Sequence, residues 1–149
     1  MTTQRLKTLR RLQRFAQLRE ARDRIVLAQS ITIEAKARQE AESVQSRLEG
    51  LMHWRAQLIK GSPLRLDRYA WALDATSYID EEDLAARLAC KQCQAITEQN
   101  RNVLAKSHAR LDAATQRRDH LQQTLATRDL SRTREQAIES WLVLRGAAP

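Results

Sequence analysis

Small and apolar residues recur along this chain at alternating steps of three and four, the spacing that lines one face of a helix in a coiled coil. In the first half Leu18, Ala21, Ile25, Ala28, Thr32 and Ala35 keep that rhythm, and Ala41, Val44, Leu48, Leu51, Arg55 and Leu58 resume it. The step from Ala35 to Ala41 is six residues rather than seven, which predicts a phase slip and a local disturbance of the supercoil. In the second half Ala86, Cys90, Cys93, Thr97, Asn100, Leu104, Ser107, Leu111, Ala114, Arg118, Leu121 and Leu125 hold the pattern, and only four of them are large and apolar. Small seam residues let two helices approach closely, while Asn100 and Arg118 weaken the seam and are placed to fix its register.

Between the two runs stands Gly61-Ser62-Pro63, and Pro63 is the only proline before Pro149. Glycine at a helix C′ position, serine as the next N-cap and proline at N1 is the order expected where one helix stops and another starts. The prediction is an all-α fold: one long antiparallel two-helix coiled-coil hairpin over residues 1–149, with a helix over about 4–60, a turn at 61–63 and a helix over about 64–145. Gly50 weakens the first helix near its end without stopping it. Leu66, Ala70, Leu73 and Ser77 extend the second helix backwards. The acidic block 74–83 allows another course, a break near 77–80 with Asp80 capping a new helix whose first turn is Glu81, Glu82 and Asp83. Without that break the second helix outruns the first by roughly 26 residues, about 40 Å. A parallel dimer ranks second, because Pro63 would kink or break every protomer.

Composition narrows the class. The chain of 149 residues has 30% charged residues, three glycines and six aromatics, too few to fill a multi-layer interior. No run reaches the length of a membrane span, and the basic N-terminus (Arg5, Lys7, Arg10, Arg11, Arg14) is not followed by an apolar signal core, so the expected location is cytoplasmic without membrane insertion. Two cysteines form no disulfide framework, which fits a reducing compartment. The net charge of +8 is unevenly placed: residues 1–24 hold eight Lys/Arg against Glu20 and Asp23. A basic end of this kind suits an acidic partner surface.

Chemistry is sparse. Cys90-Gln-Lys-Cys93 matches C-x-x-C, but a structural zinc needs two further ligands at similar spacing, and His53, His108 and His120 stand apart. The plainer reading is two small seam residues one turn apart. No nucleophile elbow, phosphate-cradling glycine loop or H-E-x-x-H is present, so no catalytic group, metal site or cofactor is expected. Nucleic-acid readers interleave stacking aromatics with their basic residues, and residues 1–50 hold only Phe15, which argues against nucleic acid as a partner. Tyr69, Trp71 and Tyr78, with Leu73, gather half of the aromatics into ten residues beside the turn, either as packing under the hairpin tip or as a docking patch. Ala137, Ile138, Trp141 and Leu144 form a second apolar stripe that would staple the open end of the hairpin.

The chain resembles the FliJ/YscO family, the central stalk proteins of flagellar and virulence type III secretion systems. The likeness rests on its length, the basic N-terminal helix rich in Leu, Arg and Ala, the turn near residue 61, and Arg-Leu-Asp-Arg-Tyr-Ala-Trp-Ala-Leu (65–73) opening a long helix. It implies a non-enzymatic stalk similar to the gamma subunit of rotary ATPases. Paired ends would insert into a hexameric secretion ATPase, and the hairpin region would face the cytoplasmic domain of an export gate protein. Arg10, Arg11 and Arg14 with Arg128, Arg132 and Arg134 would supply the ATPase-binding surface. In the flagellar member an aromatic and a leucine four residues apart contact the gate. Tyr69 and Leu73 match that spacing, with Tyr in place of Phe, and Trp71 offers a competing register. Two other readings are an escort for secretion subunits or their chaperones through the Tyr69 to Tyr78 patch, and a basic nucleic-acid or ribosome-associated coiled coil.

Overall fold

A computed structural model describes residues 2–61, 63 and 65–146. Helices α1 (Thr2–Lys60) and α2 (Leu66–Gly146) are the only regular elements among the described residues, and they pack against each other as an antiparallel hairpin. At the end of α1 the Gly61 N–H donates to the Gln57 carbonyl at 3.0 Å, with a backbone outside the left-handed region. At the start of α2 the Tyr69 N–H donates to the Arg65 carbonyl at 3.0 Å, so Arg65 holds the N-cap position. Pro63 therefore lies before the helix rather than at N1, and Asp67 supplies the negative charge that a first turn favours. Ser62, expected as the cap, and Leu64, near the expected helix start, lie outside the described residues.

α2 runs through 74–83 without a break. The acidic block starts no helix because Asp83 is a seam residue: it is buried, and its Oδ2 accepts from Arg87 Nε one turn on at 2.7 Å.

The described chain forms two compact units, one made of residues up to Arg22 with those from Ala105 onward, the other of Asp23–Leu104. In the second unit the α1 seam runs through Leu27, Ser30, Glu34, Ala37, Ala41, Val44, Leu48, Leu51, Arg55 and Leu58. It meets an α2 seam of Tyr69, Ala72, Thr76, Ile79, Asp83, Ala86, Cys90, Cys93, Thr97, Asn100 and Leu104. In the first unit Leu6, Leu9, Gln13, Ala16 and Glu20 meet Ser107, Leu111, Ala114, Arg118, Leu121 and Leu125. Every α2 seam residue expected from Ala86 to Leu125 is thus withdrawn from solvent. The expected backward extension is not: Leu66, Ala70, Leu73 and Ser77 are exposed, and Tyr69, Ala72 and Thr76 take their place.

The larger correction is in α1. Leu18, Ala21, Ile25, Ala28, Thr32 and Ala35 all lie outside the seam, with Leu18 68% and Ile25 60% exposed. The register of Ala41 to Leu58 continues unchanged towards the N-terminus, so there is no phase slip at Ala35. The true seam there carries Gln13, Glu20, Asp23, Ser30 and Glu34, while several large apolar residues face outward.

A seam this polar holds because its hydroxyls are satisfied locally. Ser30 Oγ donates to the Leu27 carbonyl at 2.8 Å, Thr76 Oγ1 to Ala72 at 2.6 Å and Thr97 Oγ1 to Cys93 at 3.0 Å. Burial then leaves no orphan donor and demands no partner across the interface. Val44, Leu48 and Ala72 are the buried apolar residues among the described ones, and a fully buried Val or Leu contributes only about 1.5–3 kcal/mol. Modest stability follows, and small helix effects count. Gly50 sits inside α1 with nothing within 4 Å of where a Cβ would stand. Gly50→Ala is accordingly expected to stabilise the fold by about 0.5–1 kcal/mol, read as a raised midpoint in thermal circular dichroism.

Candidate partner-binding surfaces

The net charge belongs to one unit. Residues 1–22 and 105–149 hold fifteen Lys/Arg against six Asp/Glu, whereas 23–104 holds eleven against twelve. In the basic unit Arg118 joins the helices: its Nη1 donates to Gln13 Oε1 at 2.8 Å, and its Nε to Asp119 Oδ1 at 2.8 Å. A second cross-helix tie sets His108 Nδ1 3.2 Å from Oε1 of the buried Glu20, with Asp112 Oδ2 3.6 Å from His108 Nε2. These polar ties interrupt a seam whose other positions in this unit include Leu6, Leu9, Leu111, Leu121 and Leu125.

Arg10, Arg11, Arg14, Arg128, Arg132 and Arg134 are all exposed, and none has an ion-pair partner among the described residues. They do not form one patch. The Arg118 to Gln13 bond puts the first trio level with residues near 118, and Arg128 lies ten residues further along α2, about 15 Å away. Leu121 shares a groove with Gln4, Thr8 and Leu9, and every described α2 residue from Ala126 on is exposed. Trp141 therefore does not staple the helices together. It is 54% exposed, with the Arg145 guanidinium 4.8 Å above its ring.

The other unit carries an apolar surface beside the turn. Trp54 and Trp71 meet edge to face, with centroids 5.7 Å apart at 83°, an arrangement the aromatic quadrupole favours. Trp71 is still 61% exposed, Tyr78 and Leu73 are exposed, and Tyr69 is half-buried in the seam. Of the expected gate-binding residues, Trp71 and Leu73 are presented to solvent while Tyr69 serves mainly packing. Sequence reasoning missed Met52, Ile59 and Leu66, which are exposed as well. Met52 and Ile59 directly follow the seam residues Leu51 and Leu58, as Leu73 follows Ala72, with Leu66 one heptad before Leu73. In an antiparallel pair these positions flank the seam on one side, so the four make an apolar strip around Leu73. The seven-residue spacing was the signal that could have found them.

Cys90 and Cys93 are half-buried seam residues, and no group of three or more metal-ligating side chains occurs among the described residues. No helix among them is long and apolar enough to cross a membrane. No protein-family model matches the chain, and comparisons with the curated proteins and with the solved structures also give no match.

Proposed function

We propose that this chain is a non-enzymatic central stalk of a type III secretion apparatus, of the FliJ/YscO kind, acting in the cytoplasm at the inner-membrane export machinery. Its basic unit binds the hexameric secretion ATPase, and the turn-side surface of the other unit binds the cytoplasmic domain of the export gate protein. The observation that carries this reading is the partition of charge. All of the excess positive charge lies in the unit that holds the start of α1 and the end of α2, and the near-neutral unit presents Trp71, Leu73 and Tyr78 to solvent. A stalk of two unlike helices contacts six identical subunits unequally, and unequal contact with alternative subunit states is what biases an ATPase cycle.

The gate half is tested by titrating the cytoplasmic gate domain with the full chain and with the double variant Trp71→Ala, Leu73→Ala. Both side chains are exposed, so helicity is expected to be retained while affinity falls about tenfold or more, the loss typical of truncating aromatic anchors. Undiminished binding counts against that half. A second reading, an escort for secretion subunits or chaperones, draws on the same Trp71, Leu73 and Tyr78 surface; it predicts co-purification with those proteins and no effect on the ATPase.

A further inference from the structure

We infer that a second copy of this chain docks on one side of the Asp23–Leu104 unit, around Val26, Ile33, Ile96 and Val103. The bond from Arg47 Nη2 to Glu82 Oε1 at 2.8 Å marks this side of the pair. Arg47 directly precedes the seam residue Leu48, and Glu82 directly precedes Asp83. Ile33 and Ile96 hold the same position two heptads away from that bonded pair, before Glu34 and Thr97, and Val26 and Val103 hold it three heptads away, before Leu27 and Leu104. The four therefore line one side, valine level with valine and isoleucine level with isoleucine, between 39% and 58% exposed. Charged residues are usual at such flanking positions, and four β-branched apolar ones at consecutive levels extend the apolar surface beyond the two helices that make the seam.

Three observations favour a second copy as the occupant. The outer neighbours of Ile33 and Ile96, two positions beyond the seam residues Leu27, Glu34, Cys90 and Thr97, are Gln29, Lys36, Gln92 and Gln99, with a single charge, and Arg22 and Lys106 hold the same position beyond the valines. Residues 23–104 are close to neutral, so this unit does not repel its own copy. Finally, the surface is self-complementary. A two-fold axis along the helices lays α1 of one copy over α2 of the other, valine on valine and isoleucine on isoleucine, and sets Arg47 beside the partner's Glu82. The face from residue 26 to 47 is about 30 Å long and two helices, about 20 Å, wide. Roughly 600 Å² per copy falls below the ~800 Å² of a standard interface, so the dimer is reversible, with a dissociation constant in the micromolar range. This inference stands independently of the stalk reading.

The test is sedimentation velocity of the full chain from about 1 to about 300 µM, beside the variant Ile33→Glu, Ile96→Glu and the control Met52→Glu. The expected result is a weight-average sedimentation coefficient that rises towards the dimer for the wild type and the control. The double variant stays monomeric throughout, with its helical circular dichroism intact. A wild type that is monomeric over the whole range overturns the proposal whatever the variants do, and so does a folded double variant that associates as the wild type does. Should the double variant lose helicity, Ile33→Ser alone is measured, with the same expected weakening. A monomeric wild type that binds another protein through this face also overturns it.

Discussion

Reversing Arg10, Arg11 and Arg14 to glutamate together is expected to abolish binding to the secretion ATPase hexamer, with a loss of about 100-fold or more, while helicity is unchanged. The three side chains are exposed, and no ion pair is broken among the described residues. Arg10 and Arg14 stand one turn apart on α1 with like charge, so their replacement removes no favourable contact within the fold. The change turns a unit with fifteen Lys/Arg against six Asp/Glu into one with twelve against nine. Opposed charges at an interface slow encounter, and a close like-charge pairing costs several kcal/mol, so three reversals at one docking face suffice for a loss of this size. Isothermal titration at low and moderate salt reads the effect. Wild-type affinity in the triple variant removes the electrostatic argument for the basic unit.

The second large effect runs in the opposite direction. Asp83→Leu is expected to stabilise the hairpin by about 1–3 kcal/mol. Asp83 is buried, and although its Oδ2 is paired with Arg87, its Oδ1 has no hydrogen-bond partner. The Arg47 to Glu82 bond places it level with the α1 segment that carries Val44 and Leu48, the two large buried apolar residues of the described chain. A half-satisfied carboxylate there carries a desolvation cost of about 1–3 kcal/mol, and exchanging a buried ionic group for a well-packed apolar one is commonly neutral or stabilising. Arg87 is 56% exposed and is solvated once the carboxylate is gone. Urea unfolding followed at 222 nm checks this through a raised midpoint at unchanged slope. A lowered midpoint would mean that the Arg87 pair outweighs the unsatisfied oxygen.

These residues also explain where the sequence was legible. From Ala86 to Leu125 the alternation of three and four carries Leu104, Leu111, Leu121 and Leu125 on the packed side, with small residues between, and the pattern is the packing. In the first part of α1 the apolar residues Leu18, Ile25 and Ile33 point outward, while Glu20, Asp23, Ser30 and Glu34 occupy the seam. A hydrophobic pattern alone therefore selects the wrong face. What holds the polar seam together, a serine bonded to its own helix and a glutamate bonded to His108, has no period to detect. The block at 74–83 misleads for a related reason. Acidic residues signal a helix start only when they stand in a first turn, and Asp83 is committed instead to Arg87 within a continuous helix. Of the candidate surfaces, the arginines and the Trp71 region could be read directly as charge and aromatic density. Met52, Ile59 and Leu66 became visible only once the seam register assigned them to one side.

The central claim is that one chain couples to a hexameric ATPase, and it is met most directly by the ATP hydrolysis rate of the secretion ATPase from the same source. The rate is measured with and without this protein, together with the hexamer fraction by size-exclusion chromatography. The account predicts faster hydrolysis and a larger hexamer fraction in its presence, both lost with the Arg10, Arg11 and Arg14 reversal. No binding and no stimulation at low salt would contradict it.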